Sequence, residues 1–268
     1  MTIDRNDTAA YAAANKQTWD SSAHLHGTGP AWETLLAQAA QPAFSVFDDC
    51  ITQTLEHLDL KGKRAVQVGC NNARELLSLA SFGAVPALGI DQSAAFLAQG
   101  TQLAQAAGLT PRLLEANIYD LPDDLGQFDL VLITIGVLNW MPDLPAFFLV
   151  IAGLMAPGAK LVIYETHPML EMFEPGGPTP FEPVHNYFET APDIHEGGIT
   201  YDGSDGGDAP TGYWFSHTMG AILNGCIAAG LCIENLTEHP HSNREVDFDI
   251  YADRAAQMPM SFTLLAAN

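Results

Sequence analysis

The sequence predicts an α/β protein built on a mostly parallel sheet with helices on both faces, and three observations carry that expectation. Residues 64–83 read as an apolar run, a polar turn and then leucines at helical spacing, the pattern of strand, tight turn and helix. From there on, strands alternate with helical stretches of about 10 to 15 residues, which calls for parallel pairing through crossovers. Phe128-Asp129-Leu130-Val131-Leu132-Ile133 is almost continuously apolar, as a central strand buried on both faces must be.

Composition bounds the rest. The chain has 268 residues, enough to bury a real core, and its 47% apolar and 16% charged content is that of a globular protein. Ten Lys and Arg stand against 32 Asp and Glu, a net charge of −22. Such a surface repels nucleic acid and anionic membrane; it either draws in a small cation or only maintains solubility. Cys50, Cys70, Cys226 and Cys232 form no CxxC pair or metal spacing and suit a reducing compartment. No signal peptide is read at the start and no apolar run reaches the ~18 residues of a membrane span, so a cytoplasmic location is expected.

Residues 1–61 read as an N-terminal helical cap, with helices over 8–22, 31–40 and 43–58 punctuated by Pro30 and Pro42. Residues 62–268 form the second unit. It opens with a strand over 64–68, a helix over 73–82 and a strand over 86–90 that ends in Asp91. The next helix spans 93–107, with Ser93 as N-cap and Gly108 as stop. A strand over 112–115, a loop to Pro122 and the strand over 128–135 follow. A helix over 144–155 closes on Ala156-Pro157-Gly158 before a strand over 160–164. Residues 167–217 lose all period but carry Phe173, Phe181, Tyr187, Phe188, Tyr201, Tyr213, Trp214 and Phe215. This stretch reads as a lid or substrate-pocket insertion without regular structure. A helix over 216–229 and strands over 232–238 and 260–266 complete the chain.

Taken in order, VQVGCNNARELL, GIDQS, ANIYDLP, FDLVLITIGVLNWMPDL and LMAPGAKLVIYETHP resemble the class I S-adenosylmethionine-dependent methyltransferases of small-molecule type. The glycine loop departs from the usual G-x-G-x-G, since Asn71 and Ala73 replace two glycines and only Gly69 is kept. The resemblance implies a Rossmann-like sheet of seven strands with an antiparallel C-terminal pair, and S-adenosyl-L-methionine as cofactor. By the same resemblance Gly69, Cys70 and Asn71 border the methionine end, and Asp91, with Gln92 beside it, takes the ribose hydroxyls unless it serves as a helix cap. Asn117, Ile118 and Tyr119 flank the adenine, while Thr134 and Gly136 lie under the sulfonium. At Gly69 a Cβ is expected to collide with the ligand.

Methyl transfer is an in-line displacement that needs neither a metal nor a covalent intermediate, so alignment and water exclusion dominate. Aromatic faces serve a sulfonium through cation–π attraction. Tyr11 and Trp19 from the cap, and Trp140, Tyr187 and Trp214 further on, are the candidates, each also compatible with ordinary core packing. As proton acceptor the sequence offers His167 after the fifth strand, with His185, His195 and His217 in or after the insertion, and Tyr187 as a further catalytic candidate. Asn139 stands where an amide can hold an amine or carboxylate, or simply makes a turn before Pro142. Trp140, Trp214 and His217 are assigned to the substrate pocket. His239-Pro240-His241 resembles a metal-binding fragment only superficially, because no carboxylate or cysteine stands at a supporting distance in sequence, and it reads as a turn.

The expected activity is methyl transfer to oxygen or nitrogen of a small-molecule acceptor. One alternative consumes the same cofactor without methylation, by aminocarboxypropyl transfer or by closing the methionine arm to azetidine-2-carboxylate with release of methylthioadenosine. Another is a non-catalytic cofactor-binding protein. A nicotinamide dehydrogenase would want G-x-G-x-x-G, of which GCNNAR supplies the first glycine alone. Oligomeric state stays open, a homodimer being one option.

Overall fold

The computed structural model describes residues 5–268, with side chains from residue 8 onward. Three helices come first, α1 (Arg5–Ser22), α2 (Gly29–Ala39) and α3 (Asp49–Glu56). The α/β alternation follows as β1 (Arg64–Val68), α4 (Arg74–Ser78), β2 (Val85–Asp91), α5 (Ala94–Ala107), β3 (Arg112–Glu115), β4 (Phe128–Thr134), α6 (Leu144–Leu154) and β5 (Met155–Thr166). Two short strands, β6 (Asp193–His195) and β7 (Gly212–Trp214), lie in the insertion, and α7 (Met219–Ala228), β8 (Cys232–His239) and β9 (Ser261–Ala267) close the chain.

Seven strands share one sheet in the order β3-β2-β1-β4-β5-β9-β8. The first five are mutually parallel, and β9 runs antiparallel to both β5 and β8. Alternate residues of β4 explain its continuous apolarity. Val131 and Ile133 join Phe147, Phe148 and Ile151 of α6 in one layer, whereas Leu130 and Leu132 join Ile51, Leu55 and Leu76 in the other. A strand covered on both faces in this way has no polar side to show. Ser93 caps α5 through a bond from Phe96 N–H at 3.3 Å, and Gly108 ends it in a left-handed conformation.

The structure departs from expectation in four places. Residues 43–48 are not helical: Ala43 turns the chain with φ of 59°, and α3 begins only where Asp48 accepts from Ile51 N–H. Residues 155–158 belong to β5, where Asn268 closes the edge by bonding to Met155 O and Gly158 N–H. The insertion carries a regular element after all, the β6–β7 antiparallel pair, and α7 starts at Met219 under a Thr218 cap. Finally, His239-Pro240-His241 does have a cysteine beside it, since packing of α3 at the end of β8 brings Cys50 Sγ to 3.2 Å from His239 Nε2. A separation of 189 residues hides that contact from any local pattern. Among the described residues no helix is long and apolar enough to cross a membrane.

Candidate active site

The carboxyl ends of β1, β2 and β4 meet in a crevice whose floor is built from short turns. The turn after β1 holds Gly69, Asn71 and Ala73 at φ of 63°, 51° and 60°. A Cβ on Gly69 would lie 2.6 Å from a Val137 methyl. Close packing of the β4 loop and the positive φ both demand the glycine, a reason additional to the ligand approach expected from the sequence. Cys70 beside it is fully buried, and burial pushes its thiol well above the ordinary value.

Asp91 at the tip of β2 accepts from Asn71 N–H at 2.7 Å through one oxygen and from Ser93 N–H at 2.9 Å through the other. Burial raises the carboxyl while these two bonds lower it. Each oxygen keeps an unfilled acceptor position, so the donor set fits a vicinal pair of hydroxyls. Ser93, not Asp91, caps the helix. Gln92 contributes its carbonyl to Lys16 Nζ at 2.6 Å, and Lys16 also bridges to Glu115 and Asp20.

In the loop after β3 the Asn117 side-chain carbonyl accepts Tyr119 N–H at 3.1 Å, Ile118 is buried, and the Tyr119 hydroxyl is bonded to both backbone groups of Asp143. One lone pair of the Asn117 amide is thus used locally, and the Tyr119 hydroxyl anchors the loop to the start of α6. Thr134 accepts from Gln67 Nε2 at 3.0 Å, tying β4 to β1. Gly136, at φ of 84°, donates its N–H to Glu165, which also accepts Leu138 N–H at 3.1 Å. Burial, reinforced by the charge of Glu245, pushes Glu165 up to about 8 against those two bonds.

The roof is made by α1 and the insertion together. Asn15, fully buried, accepts Tyr213 N–H at 2.7 Å and donates to Tyr213 O at 3.0 Å. Thr18 donates to Pro210 O, Ser22 accepts Ile199 N–H, and Asn71 reaches up to the Tyr201 hydroxyl at 2.8 Å. Under this roof Trp140 meets Trp19, Trp214 and His195 with ring centroids 5.4, 5.3 and 6.0 Å away. Tyr11 packs on Tyr213 and Phe215 at 4.8 and 5.2 Å. The Trp214 indole donates to Glu171 Oε2 at 2.8 Å, and its ring edge lies over Gly136.

Two polar atoms in this cluster, Glu171 Oε1 and His195 Nε2, are buried with no hydrogen-bond partner. Burial pushes Glu171 up to about 7, with the charges of Asp193 and Glu245 adding to it, and burial lowers His195. Unsatisfied buried polar atoms are costly and point to a ligand that would satisfy them.

The other expected base candidates are occupied elsewhere. His167 faces β8, its Nε2 2.8 Å from Glu238 Oε1 and its Nδ1 accepting Met169 N–H, so the structure assigns it a joint between strands and not a place in the crevice. The Tyr187 hydroxyl accepts Met219 N–H at the start of α7, outside the aromatic cluster. His217 bonds to Met141 O, and burial drives it down to about 4. Asn139 exchanges bonds with the backbone of Phe215 at 2.7 and 3.1 Å, fastening the β4 loop to the insertion. His185 lies 3.6 Å from Glu174 near the surface. The sequence carries no local signal for Glu171 or Asn15; His195 was identifiable only as one histidine of the insertion.

Residues 66–163 match the family model of a methyltransferase domain. A tRNA U34 carboxymethyltransferase of Cellvibrio japonicus is 32% identical over 114 residues, 41% of this chain but 35% of the relative, so the match spans about a third of that protein's length. An S-adenosylmethionine-dependent methyltransferase from Mesorhizobium loti shares the fold at 20% identity and a TM-score of 0.54, over 88% of this chain and 97% of the other. Magnesium protoporphyrin IX methyltransferase from Synechocystis PCC 6803, solved with bound SAH, does so at 16% identity and a TM-score of 0.56, over 98% and 99%. By its name the Cellvibrio protein acts on tRNA; in this chain only the net charge of −22 disfavours nucleic acid.

Proposed function

We propose that this chain, which carries a methyltransferase-domain match over residues 66–163 and shares the fold of S-adenosylmethionine-dependent methyltransferases, transfers a methyl group from S-adenosyl-L-methionine to nitrogen or oxygen of a small-molecule acceptor. The observation that carries this reading is the roof that α1 and the insertion close over Gly136, where Trp140 packs on Trp214 with ring centroids 5.3 Å apart and Glu171 Oε1 and His195 Nε2 are buried without partners. A site covered by α1 and the insertion suits a compact acceptor better than a polymer.

The cofactor, when bound, supplies an electrophilic methyl group on a sulfonium. Asp91 accepts the two ribose hydroxyls, and the Asn117–Tyr119 loop flanks the adenine. The Trp140 and Trp214 rings present apolar, electron-rich surface that excludes water and favours positive charge. Glu171 then holds an N–H or O–H of the acceptor and takes its proton, a task matched by a carboxyl that titrates near neutrality. His195 orients the acceptor through its unpaired nitrogen.

The test is incubation of the pure chain with S-adenosylmethionine, first alone and then with a panel of small amines, phenols and alcohols. Acceptor-dependent adenosylhomocysteine supports the proposal. Methylthioadenosine without any acceptor would replace it with intramolecular cyclisation, and binding without turnover with a sensor role. Modification of a tRNA pool while the small molecules stay unmodified would move the acceptor to that of the Cellvibrio relative.

A further inference from the structure

Away from the crevice, at the free edge of the sheet beyond β5 and β9, three soft ligands converge. Cys50 Sγ, at the start of α3, lies 3.2 Å from His239 Nε2 and 3.7 Å from its Nδ1. The His239 and His241 rings stack at 5.2 Å with 22° between their planes, because a strand ending in His-Pro-His points both to one face. One ligand atom from each of Cys50, His239 and His241 lies within 4.8 Å of the other two.

We propose that Cys50, His239 and His241 form a site for a borderline-soft divalent metal ion, Zn²⁺ or a first-row neighbour. A thiolate and two imidazoles are the donor chemistry such ions select, while Mg²⁺ and Ca²⁺ require oxygen. Cys50 and His239 are half-buried and His241 is exposed, so a fourth position faces solvent and takes water.

The surroundings support the ligands. Asp48, the α3 cap, accepts from the Tyr164 hydroxyl at 2.7 Å and places a negative charge near Cys50 and His239. Thr263 lies 3.1 Å from His239 Nε2 and can fix that ring. Without metal the thiol is held protonated, pushed up to about 11 by burial and by Asp48. Binding forms the sulfur–metal bond and releases that proton to solvent. The ion would join α3 to the end of β8 across 189 residues of chain.

The test titrates Zn²⁺ into the tag-free full chain against a chromophoric chelator, and Co²⁺ as an optical probe. The expected result is one ion per chain and a sulfur-to-cobalt charge-transfer band. C50S should abolish that band. H241Q, on an exposed ring that folding does not need, should weaken Zn²⁺ by at least about tenfold, and C232S should change neither. Absence of binding at micromolar Zn²⁺, a cobalt spectrum without the sulfur band, or wild-type Zn²⁺ affinity in both C50S and H241Q would overturn the assignment.

Discussion

The side-chain amide of Asn15 pairs with the backbone of Tyr213 as a neighbouring strand would, taking its N–H at 2.7 Å and giving to its carbonyl at 3.0 Å. A cap helix and an insertion 198 residues away thereby become one roof. N15A leaves two backbone groups of β7 without partners, at a cost of about 1–3 kcal/mol. Hydrogen exchange should quicken at residues 212–214 and the melting temperature should fall.

Asp91 stands at the tip of β2 with each oxygen held by one backbone N–H, from Asn71 and from Ser93. D91A should weaken adenosylhomocysteine at least tenfold, about 1.4 kcal/mol or more, through loss of charge-assisted hydrogen bonds. Unchanged affinity by calorimetry would remove the ribose assignment.

Gly69 is fixed by Val137 as well as by its own dihedral angle. G69A places a methyl group against that side chain and an L-residue at positive φ, together about 1–3 kcal/mol. G69A/V137A relieves the collision but not the dihedral cost. Thermal denaturation should therefore show partial and incomplete recovery.

Glu165 and Glu171 are raised by burial, to about 8 and about 7, above the ordinary carboxylate value. The folded state then binds more protons than the unfolded chain between the unfolded and folded values. Stability from these groups is full below the ordinary value and is lost as pH rises through about 7 and then about 8. E171Q removes one of the two groups. Melting curves from about pH 5 to about 9 should show the wild-type advantage over E171Q shrinking as pH rises. A gap that widens with pH would mean that Glu171 is ionised in the folded protein.

What local pattern could reveal, it revealed: β3 at residues 112–115, the Ser93 and Gly108 boundaries of α5, and the double burial of β4 all follow from period, capping and turn chemistry within a few residues. The same reasoning placed a helix over residues 43–48, where Ala43 at positive φ and the Asp48 cap prevailed over apolar spacing.

By itself the sequence determined the order of strands and helices and the crevice at the tips of β1, β2 and β4, because both rest on short-range periodicity. Only the tertiary structure decided which side chains meet under the roof or at the edge of the sheet. Asn15 on Tyr213, Trp214 on Glu171 and Cys50 on His239 join segments 198, 43 and 189 residues apart. Such pairings depend on how layers pack over a sheet, and no residue in them carries a mark of its partner in the chain around it.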